Sequence, residues 1–408
     1  MTNQDDRLNN NRFDISDLES FLSDRVQSVP PSGIRKFFDL ANEMKGQVIS
    51  LSIGEPDFVT PWAIREAGIY SLEQGHTHYS PNQGYIELRE AVSDYLSNGY
   101  GLEFDAKSEV VISVGGSEAI DLAVRAIVNE GDEVIIPEPC FVAYKACVKL
   151  AGGVPVTIDC KPENDFKLTA EQLEAAITPK TKLLMLGYPN NPTGAVMNRD
   201  ELMALVEVLK DKQILVLSDE LYAELTYGDN KHQSIITLPG MRERSVLIGG
   251  FSKAFAMTGW RIGYACGPAV LIAAMNKIHQ YAIMSSPSTA QEAAMEAMRN
   301  SDKHVTPMRE EYDRRRRYVV NACREAGLGC FEPLGAFYVF PDIRATGLTS
   351  SQFCENFLQE EKVAIVPGNA FGECGEGFVR ISYAASMDNI REAMRRLKLF
   401  TGRRINNV

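Results

Sequence analysis

Residues 110–129 read VVISVGGSEAIDLAVRAIVN, and this stretch decides how the rest of the chain is interpreted. Four of its first five residues are Val or Ile, which is typical of a strand buried on both faces of a sheet. Two glycines follow, and apolar residues then recur from Ile120 to Ile127 at the spacing of one helix face. A buried strand, a glycine turn and an amphipathic helix in succession predict one unit of an α/β fold with a parallel sheet.

The same pattern recurs along the chain. Further strand-like runs are Val134–Ile136, Val154–Ile158, Leu183–Leu186, Ile214–Leu217 and Val246–Ile248. Amphipathic segments separate these runs, so we predict a mainly parallel sheet sandwiched by helices. From about residue 295 the pattern changes to long charged helices, a hairpin-like stretch at 332–342 and a final helix around 387–400.

A chain of 408 residues is long for one domain. The N-terminal residues are rich in Asn, Asp and Ser, which is typical of a mobile arm. We predict an arm over residues 1–28, a large ligand-binding domain over 61–294, and a small α+β domain built from residues 29–60 and 295–408.

Composition excludes several classes of protein. A net charge of −12 argues against a nucleic-acid partner. No run reaches the ~18 consecutive apolar residues of a membrane helix, and the polar N-terminus has no signal-peptide character. The eight cysteines form no CxxC pair, and His76 and His78 lack the carboxylates or thiols of a metal site. We therefore expect a cytoplasmic protein with free thiols, no metal and no membrane partner.

Open parallel sheets bind ligands at the carboxyl ends of their strands, and two of these ends carry small polar residues. Gly115-Gly116-Ser117 opens a helix, where exposed backbone N–H groups suit a phosphate. A tight turn with a serine cap is the alternative interpretation. The loop 188–194, YPNNPTG, holds two asparagines between two prolines. It either aims them at a ligand or is an ordinary turn.

Two other strand ends carry charged residues. Asp219 follows a buried strand directly, where a carboxylate is costly without a cationic partner such as a pyridinium nitrogen; a helix cap is the alternative. Tyr222 could then bond the phenolic oxygen of the same ring. Lys253 lies in an apolar, glycine-rich loop, and desolvation there would make its amine nucleophilic, as Schiff-base chemistry requires. Arg261 adds a permanent cation suited to a phosphate.

The segment Gly250–Gly263 resembles the lysine-attachment signature of the class I and II aminotransferases, which have the fold type I of pyridoxal-phosphate (PLP) enzymes. The resemblance extends over nearly the whole chain. Its other motifs are SIGEPDF at 52–58, HYSPNQGYIELREAV at 78–92, YPNNPTG at 188–194, SDELYAEL at 218–225 and VRISYAAS at 379–386.

This resemblance implies a role for each matching residue. Lys253 would carry PLP as an aldimine and move the proton between substrate and cofactor, with Asp219 at the pyridine nitrogen. The remaining cofactor contacts would be Asn191 and Tyr222 at the ring oxygen, Gly116, Ser117, Ser252 and Arg261 at the phosphate, and Phe141 stacked on the ring. Core packing is an equal explanation for Phe141. Gly250 stands where some members have a further phosphate-binding serine.

The substrate contacts follow from the same resemblance. Arg380 would hold the α-carboxylate in a bidentate fork, beside Gly54. Tyr79 would reach the phosphate of a neighbouring subunit, which makes a homodimer with shared active sites the expected assembly.

The implied reaction transfers an amino group from an L-amino acid to a 2-oxo acid such as 2-oxoglutarate by a ping-pong mechanism. Ser117 occupies the position of a lysine found in an aspartate-specific subgroup, and residues 139–144 resemble relatives that act on aromatic amino acids. Residues 335–366 and 279–281 resemble relatives that act on an acylated diaminopimelate. We expect an aromatic or aspartate-like substrate, with an N-acetyl-diaminopimelate aminotransferase or a carbon–sulfur lyase on the same fold as alternatives.

Classes outside this chemistry fit less well. A regulator built on the same scaffold needs a DNA-binding domain, for which the N-terminal arm is too short. A nucleotide-binding oxidoreductase is disfavoured because no GxGxxG or GxxxxGK[ST] motif occurs.

Overall fold

The computed structural model describes residues 15–31, 33 and 48–405. The α-helices in this part of the chain are α1 (Asp24–Gln27), α2 (Trp62–Glu73), α3 (Ile86–Tyr100), α4 (Gly115–Ile127), α5 (Ala143–Leu150), α6 (Ala170–Ala176), α7 (Arg199–Leu209), α8 (Ala269–Ala282), α9 (Ser288–Arg299), α10 (Ser301–Glu325), α11 (Ser350–Glu361) and α12 (Met387–Ile405). The strands are β1 (Ile49–Ser50), β2 (Val110–Ser113), β3 (Glu133–Glu138), β4 (Val154–Asp159), β5 (Thr181–Gly187), β6 (Leu215–Asp219), β7 (Ser245–Gly250), β8 (Gly263–Cys266), β9 (Tyr338–Val339), β10 (Val363–Ala364), β11 (Val366–Pro367) and β12 (Val379–Ser382).

Seven strands form the central sheet, in the order β2-β8-β7-β6-β5-β3-β4. All neighbouring pairs are parallel except those of β8, which runs antiparallel to both β2 and β7. The predicted α/β class with a mainly parallel sheet is therefore confirmed. The sequence did not predict β8, because Gly-Tyr-Ala-Cys lacks the β-branched aliphatic residues by which the other strands were recognised.

Helices cover both faces of this sheet. Successive residues of one strand enter different cores: Ile112 packs on the side of α3, α7 and α9, whereas Val111 packs on the side of α4, α5 and α8. Leu247 and Ile248 of β7 divide in the same way. This division explains the continuous aliphatic runs, because side chains alternate between two faces that are both buried.

Two smaller sheets lie outside the central one, and one of them joins an N-terminal segment to a C-terminal segment of the chain. Strand β1 pairs in parallel with β10, and β12 pairs antiparallel with both β11 and β9. Helices α10, α11 and α12 pack on these strands through a separate core.

The hairpin expected at residues 332–342 is absent from the structure. Only β9 forms in this stretch, and it pairs with β12. The residues before it bond elsewhere, because Leu334 donates its N–H to Gly194 and accepts the N–H of Tyr227. A partner strand from a distant part of the chain replaces the local one.

Residues 15–28 of the predicted arm comprise a 3-10 helix at Ile15–Phe21 and the short α1. Arg25 of α1 pairs with Glu130 at 2.8 Å. Residues 1–14 lie outside the described residues. Within the part of the chain described above, no helix has both the length and the apolar character needed to span a membrane.

Candidate active site

The carboxyl ends of the parallel strands open into a cavity of about 330 Å³. The predicted site residues that line it are Gly54, Gly116, Ser117, Phe141, Asn191, Asp219, Tyr222, Ser252, Lys253, Arg261 and Arg380. The fold thus brings together residues spread over more than 300 positions. Tyr79 is the exception, because it does not line the cavity and its side chain is 82% exposed.

Lys253 follows β7 and extends its amine into the cavity. The amine donates a hydrogen bond of 2.5 Å to the backbone carbonyl of Gly54. Desolvation, reinforced by the positive charge of Arg380, lowers the pKa of Lys253 to about 8. A larger share of this amine is therefore neutral, and able to attack a carbonyl, than in a solvated lysine.

Asp219 ends β6 and is buried. One carboxylate oxygen accepts the hydroxyl of Tyr144 at 2.6 Å, and the other accepts the backbone N–H of Leu221 at 3.2 Å. Burial raises the pKa of Asp219, and these two hydrogen bonds oppose the rise. The carboxylate forms no ion pair with a described residue, so it is available to a cationic ring nitrogen in the cavity.

A network behind Asp219 holds the next residue of the chain. The buried carboxylate of Glu220 accepts hydrogen bonds from Ser218 at 2.8 Å and Ser234 at 2.6 Å, and it lies 2.7 Å from Nε2 of His232. Glu220 does not line the cavity. These contacts fix the end of β6 and thereby the position of Asp219.

The end of the cavity near α4 is shaped by close backbone packing. A Cβ atom on Gly115 would lie 2.7 Å from the Arg261 guanidinium, and one on Gly263 would lie 2.7 Å from the backbone of Gly115 and Gly116. Gly115 also has a φ of +78°, which L side chains rarely adopt, so both positions favour glycine. No side chain caps this helix. An uncapped helix N-terminus beside an arginine, with the Ser117 hydroxyl at the same turn, fits a phosphate group.

Arg380 on β12 is 2% exposed. Its guanidinium donates to the Asn191 side chain at 2.9 Å and to the Ser52 carbonyl at 2.6 Å, and its Nε has no hydrogen-bond partner among the described residues. The ring of Tyr338 lies 4.4 Å from the guanidinium carbon. No described carboxylate pairs with this buried cation, so its environment favours an anionic ligand.

Sequence reasoning missed two tyrosines of the site. Tyr144 lies three residues after Phe141 in the same stretch, just inside the start of α5, and its closeness in sequence to Phe141 could have identified it. Tyr338 lines the cavity and hydrogen-bonds the hydroxyl of Tyr222 at 2.8 Å. It lies so close to Gly54 that a Cβ there would clash with its hydroxyl. No local pattern marks Tyr338, because the pairing of β9 with β12 places it.

Residues 46–397 match the family model described as aminotransferase class I and II. The chain belongs to this family. It is 54% identical to the putative aminotransferase YugH of Bacillus subtilis, over 94% of this chain and 99% of that protein. It is 46% identical to an aspartate aminotransferase of Pyrococcus abyssi, over 92% and 97%. The crystal structure of an aromatic aminotransferase from Pyrococcus horikoshii OT3 superposes with a TM-score of 0.86 at 44% identity, covering 90% of this chain and 99% of that one.

Membership in this aminotransferase family confirms the reaction that the sequence motifs implied. The protein is a PLP-dependent enzyme that transfers amino groups between amino acids and 2-oxo acids. Its cavity fits that cofactor on three counts: an amine in Lys253, an unpaired buried carboxylate in Asp219, and a cationic, uncapped helix start beside Arg261.

Proposed function

We propose that this aminotransferase binds PLP covalently through Lys253 and takes amino acids with aromatic side chains as donors. The observation that supports the substrate class is the lining of the cavity. Lys253, Arg261 and Arg380 are its basic residues within the described chain, and each is already assigned to the cofactor or the α-carboxylate. Among the lining residues that are not assigned to the cofactor or the α-carboxylate, Ile53, Ile120 and Tyr338 provide apolar surface. An apolar wall suits an aromatic ring better than a second carboxylate.

Bound PLP supplies the aldehyde that takes up the amino group and the ring that draws an electron pair from the substrate Cα. Asp219 holds a negative charge at the ring nitrogen, and Asn191 and Tyr222 bond the ring oxygen. Gly116, Ser117, Ser252 and Arg261 hold the phosphate, and Phe141 packs on the ring face. In each half-reaction the amine of Lys253 would act first as base and then as acid, moving the proton between the substrate Cα and the cofactor carbon that carries the amino group.

Arg380 holds the α-carboxylate of the substrate in this proposal. Its hydrogen bond to Asn191 orients the guanidinium, and the unpartnered Nε leaves a donor available. Gly54 leaves space beside it for the carboxylate.

We further propose a homodimer with shared active sites. Tyr79 and Tyr281, which are 82% and 85% exposed, belong to one surface with Ile283 and Met284. A hydrogen bond joins the two segments, since the Asn82 side chain donates to the carbonyl of Met284 at 2.8 Å. Exposed apolar surface of this kind marks an interface. A second copy of the chain would bury it and bring Tyr79 to the phosphate of the neighbouring cavity.

The domain division stays part of the proposal, with a large domain over residues 61–294 and a small one over 29–60 and 295–408. The pairing of β1 with β10 supports it, because it joins the two chain ends. Cytoplasmic residence and the lack of a nucleic-acid partner, which the net charge of −12 favours, are proposed as well.

A donor screen tests the substrate class. We expect kcat/KM for L-phenylalanine and L-tyrosine to exceed that for L-aspartate at least tenfold with 2-oxoglutarate as acceptor. Equal or better use of aspartate would contradict the aromatic assignment. The lyase alternative predicts pyruvate and ammonia from a cysteine conjugate without any acceptor, and the diaminopimelate alternative predicts a preference for the N-acetylated diamine.

A further inference from the structure

We propose that His279 and Glu118 form a positioning pair that prepares the start of α4 for the cofactor phosphate. The inference rests on the proposed assignment of that phosphate to Gly116, Ser117 and Arg261. His279 lies on α8, its side chain is fully buried, and its Nδ1 lies 2.8 Å from Oε1 of Glu118. Neither residue lines the cavity.

Glu118 closes the turn that carries the phosphate donors. It directly follows Ser117 in the first turn of α4, and its Oε2 accepts the backbone N–H of Val114 at 2.5 Å. Val114 stands at the N-cap and has no side chain able to cap the helix. The first backbone N–H groups of a helix lack partners within it. Glu118 therefore stabilises the turn through its bond to Val114, and the first N–H groups of α4 stay available to an external anion.

The same carboxylate places a negative charge next to the phosphate site. Like charges disfavour each other most where water is excluded. The imidazole N–H of His279 offsets this charge and fixes the carboxylate in the orientation that reaches Val114. In the part of the chain that the structure describes, the other ring nitrogen, Nε2, is buried without a hydrogen-bond partner, as is Oδ1 of Asn276 one turn earlier. Packing alone does not account for an imidazole in that environment, because an unsatisfied buried nitrogen is costly.

The affinity of the cofactor-free enzyme for two ligands tests this pair. Pyridoxal has the ring and the aldehyde of PLP but lacks the phosphate. We expect His279→Leu to raise the dissociation constant for PLP at least tenfold and that for pyridoxal less than twofold. His279→Asn, whose amide nitrogen replaces Nδ1, should keep PLP affinity within threefold of wild type. If His279→Leu does not fold, His279→Gln, which moves the donor to the Nε2 position, carries the same expectation.

Two controls separate positioning from general damage to the fold. His304 is buried and lies 3.5 Å from Glu296, away from the cavity, so His304→Leu should leave both constants unchanged. Glu118→Gln keeps an acceptor for the Val114 N–H but removes the charge. In that background, replacing His279 with Leu should raise the dissociation constant for PLP less than threefold. Equal losses for PLP and pyridoxal, or no loss at all, would overturn the inference. A wild-type enzyme that does not favour PLP over pyridoxal would instead overturn the phosphate assignment itself.

Discussion

At the scale of single residues, Lys253 and Arg380 are two cations in one cavity, and neither forms an ion pair with a described carboxylate. Desolvation lowers the pKa of each, and the charge of Arg380 lowers that of Lys253 further. The cavity therefore carries positive charge that anionic ligands would offset. The amine of Lys253 can lose its proton and react, whereas the guanidinium of Arg380 stays charged and can bind an anion.

The pKa of Lys253 gives a pH dependence for capture of the cofactor. Only the neutral amine attacks an aldehyde, so the rate at which the cofactor-free enzyme binds PLP covalently should rise with pH and level off above about 8. An ordinary lysine would level off only near 10.4. Stopped-flow absorbance measures the rate, with Lys253→Ala as the blank. A midpoint near the ordinary lysine value would contradict the desolvation argument.

Replacement of Arg380 should lower kcat/KM for every amino-acid substrate to a similar extent. Loss of one partner from a buried charged pair costs about 2–5 kcal/mol, so we expect Arg380→Met to lower kcat/KM by about 30-fold to several thousand-fold, mainly through KM. Arg395→Met is a matched control, because Arg395 is exposed and pairs with Glu392 on the surface. Steady-state kinetics with three or more donors would measure this. An effect confined to one donor would assign Arg380 to the side chain instead.

At the scale of secondary-structure elements, the ends of the strands carry the reactive side chains, and residues outside the strands hold those ends in place. Asp219 ends β6, and the neighbouring Glu220 is held by His232 and two serines. The loop after β7 carries Lys253 to the carbonyl of Gly54. Local sequence sets where a strand ends, and tertiary contacts set where its last side chain points.

His232→Leu should destabilise the fold because it removes a partner of a buried carboxylate. A hydrogen bond to a charged group is worth about 1.5–3 kcal/mol, and we expect a loss of that size in the free energy of unfolding. Urea denaturation measures it. The control is His76→Leu, since His76 pairs with Glu292 at an exposed position, where such pairs contribute at most about 1 kcal/mol. Equal losses in the free energy of unfolding for the two variants would show that the hydrogen bonds to Glu220 do not stabilise the fold.

The elements differ in how well sequence predicts them. Strands β2, β3, β5, β6 and β7 were predictable because each contains an aliphatic run that is largely buried on both faces, and the edge strand β4 was predictable from its β-branched residues although it is mostly exposed or half-buried. Strand β8 was missed because it has no β-branched aliphatic residue, and its first residue is a glycine that close contact with the backbone of Gly115 requires. Most of the site was predictable because it follows strand ends in order along the chain. Tyr338 was not, since its place depends on the distant pairing of β9 with β12.

At the scale of the whole molecule, one chain contains nearly all of the cavity but leaves Tyr79 on the outside. The proposed dimer accounts for that position. Mixing Tyr79→Ala subunits with Lys253→Ala subunits tests the shared site. A heterodimer then contains one intact cavity and one doubly altered cavity, so activity should rise above the sum of the two parents after refolding together. Activity equal to that sum would place Tyr79 outside its partner's site.

The central claim is that Lys253 holds the cofactor, and borohydride trapping tests it most directly. The PLP-loaded enzyme is reduced with borohydride, digested, and mapped by mass spectrometry. We predict one equivalent of reduced cofactor per chain, attached to the peptide that contains Lys253, and none after Lys253→Ala. Stoichiometric label on any other lysine, or label that persists in the Lys253→Ala enzyme, would contradict it.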